Sequence, residues 1–280
     1  MDIDDLERAA ARHWQAPQTE PLGEWLLRAA AGFTGRANSA LPVGDPGVPL
    51  PAAVTYIEDW YRRRALPPMI VVPGPLHNGA APAPLDHFLA ERSWVLRSGP
   101  AFVMTAEIAD ISPAPPDTLR SETLPPATLP PATLPPATLP PDAIVHLAPQ
   151  PDAAWLALYR YRGQDLPPIA RTLLMSAPWQ AFASIRQAGR TVAVGRISVA
   201  PQSPPDEPLG MITAVEVDAT CRRQGLGAAI TGVLAAAAAD RGARRVLLQV
   251  ETGNTPARAL YARLGFRDSH RYHYRVAPAP

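Results

Sequence analysis

The residues best placed by type and spacing to do chemistry lie between Val215 and Phe266. An apolar strand, Val215-Glu216-Val217-Asp218, runs into a turn and then into Arg222-Arg223-Gln224-Gly225-Leu226-Gly227-Ala228, followed by an Ala-rich helix. Glycines at 225 and 227 let the chain turn sharply and present successive backbone N–H groups in one direction. The helix adds the positive end of its dipole. Together they form a cradle for a phosphate or pyrophosphate that needs no cationic side chain, with Arg222 and Arg223 adding charge at its rim. Two standard nucleotide sites are excluded. Position 230 is Ile rather than the third glycine of a dinucleotide fingerprint, and the acid expected about twenty residues on is not clearly in place. The chain contains no Lys, so no phosphate-loop NTPase can be built.

A second constellation follows the next strand, Val246 to Glu251: Asn254-Thr255-Pro256-Ala257-Arg258-Ala259-Leu260-Tyr261-Ala262-Arg263-Leu264-Gly265-Phe266. Thr255 is the expected N-cap, Pro256 the first helical residue and Gly265 the stop. Ala257, Leu260, Tyr261 and Leu264 share one helix face.

The two constellations together resemble the acyl-CoA-binding half of the GNAT acetyltransferase superfamily. Its Arg/Gln-x-x-Gly-x-Gly/Ala loop matches Arg222, Gly225 and Gly227. Its Asn-x-x-Ala-x-x-Leu-Tyr-x-x-x-Gly-Phe pattern matches Asn254, Ala257, Leu260, Tyr261, Gly265 and Phe266 without a gap. The resemblance covers residues 143–280 as a full domain and implies an α/β (α+β) GNAT fold, a mixed splayed sheet flanked by helices, with acetyl-CoA as co-substrate in the opening. It implies that the amides of Gln224, Gly225, Leu226, Gly227 and Ala228 take the pyrophosphate, that the strand around Val215 and Val217 pairs with the pantetheine amides, and that Asn254 holds the cofactor or the chain near it. In the family, the Tyr at the Tyr261 position commonly protonates the departing thiolate, a role suited to a phenol that is neutral at pH 7.

Each of these residues also has an ordinary structural reading. Tyr261 shares a face with Leu260 and Leu264 and would serve a core. Glu216 is the acid nearest the expected amine site and a candidate general base, although strand alternation sets it opposite Val215 and Val217. Glu251 ends the next strand and is a weaker candidate. Cys221, the single cysteine, lacks an evident activating partner. His270 and His273 alternate with Tyr272 and Tyr274, the pattern of a polar strand face. Arg36 and Asn38 are candidates for reaching the acceptor from the other half of the chain, Arg36 by bidentate pairing with a carboxylate.

The elements that must position these groups fall into three regions. Residues 123–141 read TLPPATLPPATLPPATLPP, a five-residue period whose Pro pairs remove backbone donors. The expectation is a stiff polyproline-like spacer within a linker over 110–142. Residues 1–109 read as an opening helix near Leu6 to Trp14, strands at Trp25–Arg28 and Arg36–Val43, a helix over Pro51–Arg64, a strand at Met69–Val72, a helix over Leu85–Trp94 and a strand pair over Val95–Ile108. This order faintly resembles the same superfamily, with Asp45-Pro46-Gly47-Val48-Pro49 where the phosphate loop would be, and implies a smaller degenerate GNAT-like lobe. Residues 143–280 read as a strand (Ile144–Leu147), helices over Asp152–Arg162 and Ile169–Met175, a hairpin over Phe182–Val199, a strand (Met211–Val217), a helix (Gly227–Arg241), a strand (Val246–Glu251), a helix (Pro256–Leu264) and a last strand (Phe266–Val276). The combination is similar to a group of actinobacterial acetyltransferases, some of them N-acetylglutamate synthase-like.

Composition bounds the function classes. The 280 residues carry 26 basic side chains, all Arg, against 25 acidic ones, a net charge of +1 that leaves no electrostatic footprint for nucleic acid. One cysteine excludes an intrachain disulfide and a thiolate-rich zinc site, and no metal is expected. The first residues are acidic, no apolar run approaches a membrane span, and a cytoplasmic protein without membrane partner is expected. The reading is an acetyl-CoA-dependent N-acetyltransferase, monomeric or homodimeric, whose partner is a small-molecule amine such as an amino acid, glutamate among them. A protein N-terminal or lysine acetyltransferase and a non-catalytic acyl-CoA-binding regulatory module are the alternatives.

Overall fold

The computed structural model describes residues 1–76, 84–111, 119–120, 143–161, 163–201 and 207–278. The expected polyproline-like spacer at 123–141 lies outside these residues.

The chain opens with α1 (Ile3–His13), started by a reciprocal cap in which the Asp2 carboxylate accepts from the Asp5 amide and Asp5 answers at the Asp2 amide. Then come β1 (Gln18–Leu22), β2 (Trp25–Ala29), α2 (Leu50–Arg62), β3 (Met69–Gly74), α3 (Pro84–Glu91), β4 (Val95–Leu96) and β5 (Ala101–Glu107). A two-residue strand, β6 (Leu119–Arg120), precedes β7 (Ile144–Ala148), α4 (Ala153–Leu158) and α5 (Ile169–Leu174). The remainder is β8 (Trp179–Gln187), β9 (Arg190–Ala200), β10 (Leu209–Val217), α6 (Leu226–Ala239), β11 (Arg245–Glu251), α7 (Thr255–Arg263) and β12 (Arg267–Val276).

β1 and β2 form a small antiparallel pair. The other strands form one mixed sheet in the order β3-β12-β5-β11-β10-β9-β8-β7-β6, with β4 attached to β12. The halves of the chain interlock in it. β5 pairs antiparallel with β11 on one side and with β12 on the other, while β12 pairs antiparallel with β3.

Strand alternation decides which helix covers which face. Leu209, Met211 and Leu247 pack with Leu6, Ala9 and Ala10 of α1. The alternate residues Ile212, Val246 and Leu248 pack with Ala229, Ile230 and Val233 of α6. The Ala-rich α6 is buried nearly all round, as suits a helix lying on the sheet, where small side chains allow close approach.

Three expectations are corrected and one strand is added. Arg36–Val43 is not a strand; it makes only isolated bridges at Ala40 and Leu41. The buried Asn38 side chain takes over the local backbone instead, accepting from the amides of Ala30 and Gly32 and donating to the carbonyls of Phe33 and Thr34. The segments 95–96 and 101–107 do not pair with each other, because β12 takes both. The helix expected over Asp152–Arg162 stops at Leu158, with Asp152 as its N-cap. Gln18–Leu22, with a Pro and an exposed pattern, is a strand that alternation did not reveal.

Candidate active site

Two neighbouring parallel strands part company at the centre of the sheet. β10 and β11 pair over only four residues, Leu209–Ile212 with Arg245–Leu248. Beyond them β10 bulges. Its register with β9 runs from Thr213 opposite Arg196 to Glu216 opposite Val194, so that Ala214 and Val215 both face Gly195. Ala214 holds a left-handed φ of 54° to make the turn, a conformation that costs a residue with a Cβ roughly 1–2 kcal/mol. Meanwhile Gln249, Val250 and Glu251 stay with β5. The two strand edges, Thr213–Val217 and Gln249–Glu251, therefore face each other across an opening.

The opening is a cleft of about 820 Å3. Its walls include both strand edges, Tyr159 and Tyr161 from the segment after α4, and Arg222, Asn254 and Tyr261. An extended chain in this gap can use the unpaired main-chain groups of β10 as an added strand would.

At one end of the cleft the chain passes through Arg222 into α6. Arg223 and Gly225 both have left-handed φ, 68° and 78°. Gly225 is the N-cap of α6, carries no side-chain cap, and a Cβ built there would meet nothing within 4 Å. The first helical amides, those of Leu226, Gly227 and Ala228, are left without a side-chain cap at the positive end of a fourteen-residue helix. Gly227 answers a different demand: a Cβ there would lie 2.9 Å from Leu260 Cδ2 of α7. The Leu226 side chain is turned into the core, leaving only its amide for a ligand. Arg223 and Gln224 are exposed. This uncapped turn, next to a strand with free main-chain groups, suits a diphosphate carried on an amide-containing arm.

The chemistry-bearing side chains approach the cleft from opposite elements. Tyr261 lies on the face of α7 that meets the core, tilted against Phe266 at 5.6 Å between ring centroids. It is 8% exposed and also lines the cleft, so the structural and functional readings of this residue coexist. Burial, with the nearby Glu216 charge adding to it, pushes its phenol up to about 12, so the proton stays on at neutral pH. Glu216 is half-buried in the cleft wall. Burial raises its carboxyl above the ordinary range, opposed by Arg222, whose Nη2 donates to Glu216 Oε1 at 3.3 Å while Nε donates to the Val217 carbonyl. Val215 and Val217 turn the other way and pack on the α6 core, as alternation predicts.

Other candidates find structural partners. Asn254, not Thr255, caps α7: its Oδ1 accepts from the Ala257 amide, and Thr255 is the first helical residue. Asn254 also lines the cleft. Asn38 is consumed by the loop described above. His270 is buried and 2.9 Å from Glu7 Oε1, and His273 is 2.8 Å from Asp86 Oδ1; neither lines the cleft. Cys221 is partly exposed, with the Thr220 hydroxyl 3.6 Å from its sulfur. Glu251 lines the cleft, and Arg36 reaches its wall by donating to Gln249 Oε1 at 2.7 Å. Gln249, Tyr159 and Tyr161 also line the cleft, although no motif in the sequence marks them. Only the chain crossing after α4, which no local pattern encodes, brings the two tyrosines to the opening.

Among the described residues, no group of three or more His, Cys, Asp or Glu is arranged to hold a metal ion, and no helix is long and apolar enough to cross a membrane.

The family described as "Probable histone acetyltransferase Rv0428c C-terminal" matches residues 1–128 and 131–275. The "Uncharacterized N-acetyltransferase YobR" of Bacillus subtilis (strain 168) is 27% identical over 284 residues, covering 98% of each chain. The "Probable histone acetyltransferase Rv0428c" of Mycobacterium tuberculosis (strain ATCC 25618 / H37Rv) is 30% identical over 274 residues, covering 98% of this chain and 73% of the other. Among solved structures, the GCN5-related N-acetyltransferase from Kribbella flavida shares the fold with a TM-score of 0.67 at 17% identity, covering 100% of this chain and 97% of that one.

Proposed function

Because the chain belongs to the family described as "Probable histone acetyltransferase Rv0428c C-terminal", and is a GNAT-type N-acetyltransferase, we propose that it transfers the acetyl group of acetyl-CoA to the primary amine of a small molecule, an amino acid such as glutamate being the type. The observation that carries the reading is the parting of β10 from β11 beside the uncapped start of α6.

Bound acetyl-CoA supplies a thioester whose carbonyl carbon accepts the amine and whose sulfur leaves as thiol. The protein's share follows from the groups lining the opening. The amides of Gln224 to Ala228 hold the diphosphate, with Arg222 and Arg223 at the rim. The main chain around Val215 and Val217 aligns the pantetheine arm, and an N–H of the splayed strand polarises the thioester oxygen. Glu216 takes the proton that the amine sheds as its nitrogen bonds to carbon, a task helped by a carboxyl raised above the usual range. Tyr261 donates its proton to the departing sulfur. The nitrogen loses one proton and the sulfur gains one, so the products are an amide and a free thiol.

A second reading, acetylation of a protein lysine, draws on the printed name of the Mycobacterium tuberculosis relative. Calorimetry with CoA and thiol release over an amine panel test the proposal. One-to-one binding and turnover of small amines are expected. No heat with CoA, or turnover of protein lysines alone, would overturn it.

A further inference from the structure

Beyond the Gln249–Glu251 wall of the cleft lies a smaller cavity of about 130 Å3. It shares Tyr161, Gln249 and Glu251 with the large cleft, so the two spaces are neighbours across one wall. The rest of its lining comes from elsewhere in the chain: Arg36 from the loop after β2, Arg97 from the turn after β4, and Tyr272 and Tyr274 of β12.

The two guanidinium groups are held in place by contacts that leave their charge uncancelled. Arg36 donates to the Gln249 amide oxygen and sits 5.2 Å from the centre of the Trp14 ring. Arg97 lies 5.7 Å from the Tyr274 ring centroid and otherwise meets the Met69 sulfur, a weak acceptor, at 3.6 Å. A Cβ built on Gly35 would lie 2.7 Å from both Arg97 Nη1 and Tyr274 Cζ, so the missing side chain at 35 leaves room for both groups in a cavity that Arg36 also lines.

Deeper in, two buried arginines add to the same field. Arg28 spends its donors on the Ser39 carbonyl and hydroxyl, and Arg196 on the Leu174 and His13 carbonyls and the Ser198 and Thr213 hydroxyls. All of these acceptors are neutral. Among the described residues, none of the four arginines is paired with a carboxylate. Two carboxylates offset part of this charge: buried Glu7, which lies 2.9 Å from His270 Nε2 and whose charge also reaches Arg28, and Glu251 in the shared wall. A partly buried cavity with this excess of positive charge and several guanidinium donors is made for an anion.

We propose that this annex binds an anionic group of the acceptor, so that the acceptor is an amine carrying a carboxylate or a phosphate rather than a lysine in a basic peptide. The inference rests on the reading of the large cleft as the acetyl-transfer site. It adds that the amino-terminal region supplies acceptor specificity through Arg36 and Arg97.

The test uses the full chain with acetyl-CoA and matched acceptors: glutamate against its diamide, phosphoethanolamine against ethanolamine, and a lysine-containing basic peptide. At least one anionic member is expected to exceed its neutral partner about tenfold or more in kcat/KM, chiefly through KM. Which pair shows the larger ratio distinguishes carboxylate from phosphate. Arg97→Gln is expected to collapse that ratio, and Arg97→Lys to retain part of it. Arg36→Gln serves as the second variant should Arg97→Gln fold poorly. Preference for the neutral partners or the basic peptide, or a ratio unchanged by the substitutions, overturns the proposal. If acetyl-CoA binds but no amine is turned over, the transfer reading fails by itself. The annex is then judged by melting temperature with glutarate or inorganic phosphate. A rise in the wild type that Arg97→Gln abolishes supports it, and equal responses overturn it.

Discussion

Two helices of this chain begin at comparable loops and are capped differently. α6 starts at Gly225 with no side-chain cap, and a Cβ at that glycine would meet nothing within 4 Å. α2 starts at Pro49, and Pro51 in its first turn has no N–H to offer. The loop before α2 is also supplied with its own anions: the Asp45 carboxylate accepts from the Gly47 amide at 2.8 Å, and the Glu24 carboxylate from the Asp45 amide at 2.7 Å. The sheet repeats the contrast. β10 and β11 separate after four residue pairs, whereas β12 lies between β3 and β5 and pairs with both at Arg271 and Tyr272. The loop before α2 is thus occupied by carboxylates of its own region, and the neighbouring part of the sheet by a strand from the other end of the chain.

Substitutions can break that contrast. The largest effect is expected for Gly227→Glu, which sets a carboxylate at the diphosphate site and a Cβ against Leu260. CoA affinity should fall by roughly a thousandfold, about 4 kcal/mol, in calorimetry on protein whose circular dichroism is unchanged. Tyr261→Phe removes the proposed proton donor and keeps the ring; kcat should drop by about a hundredfold with CoA affinity preserved, and equal turnover would identify the ring as a core residue only.

Glu216→Gln comes next, at about tenfold in kcat/KM. Burial raises the Glu216 carboxyl, so in the wild type the acid limb of the pH profile should lie above the ordinary carboxylate value near 4.5, and in the variant that limb should vanish. The linked effect on stability has the matching sign. A carboxyl with a raised folded pKa penalises the fold once pH climbs past its unfolded value, so Glu216→Gln should melt higher than wild type at pH 7 and lose that advantage near pH 4.

The smallest effect sharpens the other side of the comparison. Asp45→Asn should cost about 1 kcal/mol or less in denaturant unfolding and leave CoA stoichiometry at one per chain. A second CoA appearing in this variant would show that the α2 loop is blocked by charge alone.

The groups legible in the sequence are those whose roles are set by neighbours in the chain. Gly225 defines a turn by its own conformational freedom, and Ala257, Leu260 and Tyr261 repeat at helical spacing. What escaped reading depends on distant contacts or on a single side chain overriding a pattern. Arg36–Val43 looks like a strand by composition, but Asn38 diverts four backbone groups. Thr255 reads as the cap by residue type and by the Pro that follows it, but the geometry selects Asn254. The His270–Glu7 pair joins residues 263 apart in sequence, so a strand face that reads as polar is buried. Arg97 gains a role only because Gly35 leaves room for it in a cavity that Arg36 also lines.

The position of β5 carries one more consequence. Donated by the amino-terminal region, it lies between β11 and β12 of the carboxyl-terminal region. A gene cut between the two regions would yield fragments with bare strand margins, a ready template for aggregation. Each piece should go to inclusion bodies when made by itself, and co-expression of the two should restore a single soluble particle.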